Sequence, residues 1–225
     1  MTEETIGSRR RAAVRLKAAR KHKPSSQKWL LRQLNDPYVA AAKERGFRSR
    51  AAFKLIELDE KFGLIGKGAR VVDLGAAPGG WTQVALERGA SRVVGIDLLD
   101  IDPIAGATLI KGDFQDESME TALAEILGGP ADVVMSDMAP NTTGHTATDH
   151  LRIMGLAELA LDFAFKHLAP GGAFVTKLFQ GGAQGDMLNL LKRRFAQVRH
   201  AKPEASRKDS RELYLVATGY RPDAS

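Results

Sequence analysis

The chain has 225 residues, a formal net charge of +6 and no cysteine. That length fits one α/β domain with a sizeable core, and the missing thiols exclude a disulfide framework, a thiolate metal site and a Cys nucleophile. No apolar run is long enough to cross a bilayer and no signal-peptide core follows Met1, so a cytoplasmic protein is expected.

The charge is uneven. Residues 1–50 hold 14 Lys/Arg against 4 Asp/Glu, a net +10, while residues 51–225 carry a net −4. A polyanionic partner held by one end of the molecule is one reading, and a solvated tail that only aids solubility is the other. Within the first 28 residues Arg9, Arg10, Arg11, Arg15, Lys17, Arg20, Lys21, Lys23 and Lys28 have few large apolar neighbours. Alone, such a segment cannot offset its ordering entropy, and it could lie on phosphates as a non-specific arm.

A short helix is expected over 26–34, broken by Asn35-Asp36-Pro37, then a second over 48–62 with Ser49 as a possible N-cap. Leu55, Leu58 and Phe62 give the second helix a core stripe, and Gly63 and Gly66 stop it. Strands and helices then alternate. Strand 70–74 leads to helix 81–88, strand 92–96 ends at Asp97, and strand 108–110 ends near Gly112-Asp113. Helix 118–127 is followed by strand 132–135, which ends at Ser136-Asp137. A loop to Thr148 carries His145 and His150, read as loop polar residues. Helix 149–168 is stopped by Pro170-Gly171-Gly172, strand 173–176 ends at Lys177, and a helix spans 186–195. Strands 197–199 and 212–218 close the chain as an antiparallel pair at one edge. This order predicts an α/β fold with a single, mostly parallel sheet and helices on both faces. Ligands of such sheets sit beyond the carboxyl ends of the strands, where Asp97, Asp113, Asp137 and Lys177 fall.

The stretch that organises the chain is Val71–Trp81, V-V-D-L-G-A-A-P-G-G-W: a buried strand, a glycine turn and a helix start. Gly75, Gly79 and Gly80 would let backbone approach a ligand. The spacing is G-x-x-x-G-G, without the second glycine of a dinucleotide fingerprint or the Lys-Ser/Thr of a P-loop. A nucleoside ligand lacking a diphosphate fits best, with S-adenosylmethionine the leading candidate. A turn that merely packs helix on strand is the alternative. Asp97 could accept both ribose hydroxyls of such a ligand, and Asp113 could accept an adenine amino group, although either is also an ordinary turn residue. Methyl transfer to pyrimidine C5 is excluded by the missing Cys. Ser136-Asp137-Met138-Ala139-Pro140 lacks the aromatic residue that stacks a base in amino-methyltransferases, which favours a hydroxyl acceptor. Lys54, Lys177 and Glu212 are unremarkable one by one. No Cys or suitably spaced His accompanies His145 and His150, so no metal is expected.

Together, S-R-A-A-F-K-L around Lys54, D-L-G-A-A-P-G-G-W around Gly79, S-D-M-A-P at Asp137, V-T-K-L-F-Q at Lys177 and S-R-E-L-Y-L-V-A at Glu212 resemble the RlmE (FtsJ/RrmJ) family of RNA ribose 2′-O-methyltransferases. The likeness runs from about Ser26 onward. It implies a Rossmann-like S-adenosylmethionine-dependent methyltransferase domain over 26–225, with a seven-stranded sheet whose last strand is antiparallel, preceded by a basic arm over 1–25. It implies that Gly79, Trp81, Asp97, Asp113 and Asp137 contact S-adenosylmethionine, that Lys177 takes the proton, and that Lys54, Asp137 and Glu212 complete the catalytic set. The implied substrate is a uridine 2′-hydroxyl of large-subunit (23S) ribosomal RNA, within the large ribosomal subunit, and the implied enzyme is a monomer. Relatives that act on transfer RNA, or an assembly factor built on the same fold, stand as alternatives, as does a small-molecule O-methyltransferase.

Overall fold

A computed structural model describes residues 24–140, 143–180 and 185–222. The basic arm expected over 1–25 lies almost wholly outside the described residues. Three helices come first: α1 (Pro24–Leu34), α2 (Pro37–Glu44) and α3 (Ala51–Phe62). The alternating part is β1 (Arg70–Leu74), α4 (Gly80–Glu87), β2 (Arg92–Asp97), β3 (Ala107–Lys111), α5 (Glu117–Leu127), β4 (Ala131–Ser136) and α6 (Thr146–His167). It continues through β5 (Leu168–Phe179), α7 (Gly185–Arg194), β6 (Phe195–Ala201) and β7 (Glu212–Tyr220).

The strands form one seven-stranded sheet in the order β3-β2-β1-β4-β5-β7-β6. Neighbours from β3 to β5 pair in parallel, and β7 runs antiparallel to both β5 and β6. The expected sheet and its antiparallel last strand are therefore present, with β7 inserted between β5 and β6. Central strands read as continuous apolar runs because both faces are covered. On one face Val72, Leu74, Val134 and Phe174 meet Leu123, Leu161 and Leu191 of α5, α6 and α7. On the other Val71, Val133 and Val175 meet Leu55, Leu58 and Trp81 of α3 and α4. Leu55 and Leu58 are fully buried, which contributes about 2 kcal/mol each.

Chain order reverses around β1, whose neighbours are β2 on one side and β4 on the other. Crossovers therefore leave to opposite faces, and a crevice opens outside the carboxyl ends of these strands.

Four local expectations change. Asn35-Asp36-Pro37 ends α1 but also begins α2, because Pro37 occupies the first helical turn and the Asp36 carboxylate accepts the Tyr38 N–H at 3.0 Å. A proline costs nothing there, since that N–H has no helical partner. Ser49 does not cap α3, which starts from Arg50 without a side-chain cap; its hydroxyl is buried beside Gly80. His150 lies in the first turns of α6, not in a loop. Finally, β5 begins directly after α6 and passes through Pro170-Gly171-Gly172, with a register shift against β4 between Ala131 and Val133. A side chain on Gly172 would press on the carbonyls of Ala169 and Asp132 at 2.9 and 3.0 Å. The strand also runs two residues past Lys177, which pairs with Tyr214.

Candidate active site

Four elements bring Lys54, Asp137, Lys177 and Glu212 together. α3 supplies Lys54, the segment after β4 supplies Asp137, β5 supplies Lys177 and the start of β7 supplies Glu212. Lys177 Nζ donates to the Asp137 carboxylate at 2.8 Å and to its main-chain carbonyl at 2.6 Å. Lys54 Nζ donates to Glu212 at 2.8 Å and lies 3.7 Å from the second Asp137 oxygen. The two cations and two anions cancel, which makes their shared burial tolerable.

Tyr214 is the member that sequence reading missed. Its hydroxyl donates to Asp137 Oδ1 at 2.5 Å and accepts from Lys54 Nζ at 3.1 Å. The signal was present in R-E-L-Y-L-V-A. Residues two apart share a face of a strand, so Tyr214 had to accompany Glu212, and antiparallel pairing sets it directly opposite Lys177. Ser206 adds a further support, donating to Glu212 Oε1 at 2.7 Å. Burial works against the charge on Asp137, but Lys177, Lys54 and the two donated hydrogen bonds outweigh it and hold the carboxyl below its ordinary range. Burial first, and then Asp137 and Glu212, push the Tyr214 phenol well above its usual value, so it remains a donor.

The glycine turn lies at the carboxyl end of β1. Its glycines meet protein first. A Cβ on Gly75 would strike Met138 Cγ at 2.2 Å, one on Gly79 would strike Ile104 Cδ1 at 2.6 Å, and one on Gly80 would strike the Ser49 hydroxyl at 2.4 Å. Gly75 and Gly79 also hold φ of +77° and +107°, where L side chains are strained. Gly75 thus docks Met138, the neighbour of Asp137, onto the turn, while Gly79 admits Ile104 and Gly80 admits Ser49.

Asp97 accepts the Ala77 N–H on one carboxylate oxygen and the Leu99 N–H on the other, both at 2.9 Å. Each oxygen keeps a second lone pair, so the pair still suits a vicinal diol. Asp113 closes an Asx turn with the Gln115 N–H at 3.0 Å. Trp81 lies in the first turn of α4. It is 3% exposed, donates its indole N–H to the Ala51 carbonyl and packs against Tyr214 with ring centroids 5.8 Å apart. Its ring belongs to the joint between α3 and α4.

Asp73, next to the carboxyl end of β1, is 1% exposed and accepts the Thr82 hydroxyl at 2.7 Å. Burial raises its pKa to about 7, with Asp137 and Asp97 pushing the same way and Thr82 opposing. The folded state therefore keeps this proton where the unfolded chain has lost it, and the term destabilises the fold progressively as pH rises from about 4 to about 7. Asp73→Asn is expected to remove that slope and to be the more stable protein at pH 8, by up to roughly 4 kcal/mol. Denaturant midpoints of both proteins from pH 4 to 8 measure it; parallel curves would reject the assignment.

Comparison with known proteins gives a consistent answer. Residues 47–220 match the FtsJ-like methyltransferase family. A Granulibacter bethesdensis protein named ribosomal RNA large subunit methyltransferase E is 69% identical over 93% of this chain and 91% of its own length. A Gluconobacter oxydans protein of the same name is 64% identical over 97% and 82%. Among solved structures, a Plasmodium falciparum protein described as a ribosomal RNA methyltransferase superposes with a TM-score of 0.68 at 33% identity, covering 77% of this chain and 98% of its own.

Proposed function

The chain belongs to the FtsJ-like methyltransferase family, and from that membership we propose that it transfers a methyl group from S-adenosylmethionine to a uridine ribose 2′-hydroxyl of large-subunit (23S) ribosomal RNA. The observation that carries the acceptor chemistry is the Lys54–Asp137–Lys177–Glu212 cluster beside the glycine turn, a charged set with no base-stacking aromatic in S-D-M-A-P.

The residues present suit the methyl donor. Gly79 and the Asp97 carboxylate line the crevice end of β1 and β2, with Asp113 and Asp137 at the neighbouring strands. We assign the donor's nucleoside to Asp97 and Asp113, and its methyl-bearing end to the region of Asp137. When bound, S-adenosylmethionine supplies a methyl group already activated on a sulfonium, so the protein need add only proximity and proton removal. Two of the three tetrahedral positions on Lys177 Nζ are engaged by Asp137. The third is left for the acceptor hydroxyl, and in its amine form Lys177 takes the proton through it. Asp137 fixes the direction of that lone pair. Lys54, held by Glu212 and Tyr214, supplies a positive field for the developing alkoxide.

The same reading makes residues 26–225 the methyltransferase domain, and residues 1–25 a phosphate-binding arm. The enzyme then works as a cytoplasmic monomer on RNA within the large subunit. Among the described residues no helix is long and apolar enough to cross a membrane. Deleting residues 1–24 is expected to flatten the fall of RNA affinity with rising salt, as measured by filter binding over a salt series. An unchanged slope would remove the arm from the interface.

The function is tested by transfer of labelled methyl from S-adenosylmethionine to ribosomal subunits lacking 2′-O-methylation, with naked ribosomal RNA and transfer RNA alongside. Label mapping to a large-subunit ribose is the expected result. Label confined to transfer RNA would keep the chemistry and change the substrate, and no label in any RNA would overturn the reading.

A further inference from the structure

Arg48 belongs to the basic N-terminal 50 residues, whose charge alone would assign it to RNA phosphate. Its bonds point inward. One guanidinium nitrogen donates to the Pro78 carbonyl at 3.2 Å and to the Asp102 carbonyl, and the other donates to the Pro103 carbonyl at 2.7 Å. Pro78 lies in the glycine turn, whereas Asp102 and Pro103 lie in the segment after β2. The Arg48 backbone N–H is itself fixed by Gln83 Oε1 at 2.8 Å, and Gln83 returns a bond to the Gly46 carbonyl at 3.0 Å. Ile104 and the Arg48 stem fill the space over Gly79, where a Cβ would meet them at 2.6 and 3.3 Å.

The segment after β2 needs such a clasp. Asp97 anchors its start through the Leu99 N–H. Beyond that the segment is tied to β3 by the solvent-exposed Lys111–Asp100 ion pair at 2.7 Å, and Leu98 and Leu99 are 67% and 66% exposed, so they bury little apolar surface to hold it in place. We propose that Arg48 is a positioning residue that closes the segment after β2 onto the glycine turn, shaping the cofactor cleft and joining it to the helix that carries Lys54. This inference rests on reading the glycine turn as the cofactor site. A planar fork reaches three carbonyls on two segments, and a compact ammonium does not reproduce that geometry. On a phosphate, by contrast, lysine serves well as a point charge.

The test uses the full chain with S-adenosylhomocysteine as calorimetric probe, and large-subunit ribosomal RNA in a salt series. Both Arg48→Ala and Arg48→Lys are expected to weaken S-adenosylhomocysteine binding roughly 10- to 100-fold, because bonds from a charged donor are lost. RNA affinity and its salt slope stay at wild-type values. If the alanine variant does not fold, the lysine variant decides alone. Unchanged S-adenosylhomocysteine affinity in the folded variants would overturn the clasp. So would a shallower RNA salt slope in the alanine variant that lysine restores, since that result makes Arg48 a phosphate ligand. Failure of the wild-type chain to bind the probe would instead overturn the cofactor-site reading beneath it.

Discussion

Replacing Lys177 by alanine is expected to slow methyl transfer roughly 10²–10⁴-fold, the range spanned by loss of a positioned proton acceptor. Nζ sits within 2.8 Å of two Asp137 oxygens, and no other amine has that placement in the cluster, since Lys54 is held mainly by Glu212 and Tyr214. The fold should survive, because Asp137 keeps the Tyr214 hydroxyl and the Lys54 charge. Affinity for the methyl donor should change little. Lys177→Arg should not rescue the rate, because a guanidinium is not deprotonated in proteins. Single-turnover rates at saturating S-adenosylmethionine measure the effect. Near-wild-type turnover in the alanine variant would remove Lys177 from the chemistry.

The sheet was legible because its strands are short apolar runs bounded by glycine and aspartate. Arg70–Leu74 was read to the residue, and β2, β4 and the helices between them to within one or two. The misreadings share one cause: the local signal had two meanings and only the tertiary context chose between them. Pro37 marks a break for the helix before it and a first turn for the helix after it. Pro170-Gly171-Gly172 ends a helix by local rules, yet pairing of Leu168 and Ala173 with β4 on either side carries it inside β5 as an irregularity.

The site divides in the same way. Chain order placed Asp97, Asp137 and Lys177 at or near carboxyl ends of strands, since strand ends in a parallel sheet all face one edge. Contacts between distant elements could not be read like this. Nothing local distinguishes an Arg48 that grips carbonyls from an Arg48 that awaits phosphate. Nor does Trp81 at a helix start give any local sign that Ala51 and Tyr214 flank its ring. Tyr214 was recoverable from strand alternation, but its partnership with both Asp137 and Lys54 requires three elements to meet.

Asp137→Ala should be the most damaging change to the fold itself. Asp137 is the one carboxylate that meets both lysines of the cluster, and Tyr214 donates to it as well. Removing it leaves Lys177 buried without its counter-charge and Lys54 with the Glu212 carboxylate and the Tyr214 hydroxyl. Breaking a buried pair in this way costs about 3–5 kcal/mol. Asp137→Asn keeps the shape and an acceptor, so it should cost less while still slowing the reaction, because a neutral amide cannot counter the charge that Lys177 gains on taking the proton. The pH dependence identifies the mechanism. Since the folded-state pKa of Asp137 is depressed, its contribution is fully present above the unfolded carboxylate value near 4 and is lost as pH falls through the lower folded value. The stability gap between wild type and Asp137→Ala should therefore be flat from about pH 5 upward and shrink below about pH 4. Urea midpoints measured across that range decide the matter. A gap that stays constant down to pH 3 would show that the loss comes from packing rather than from charge.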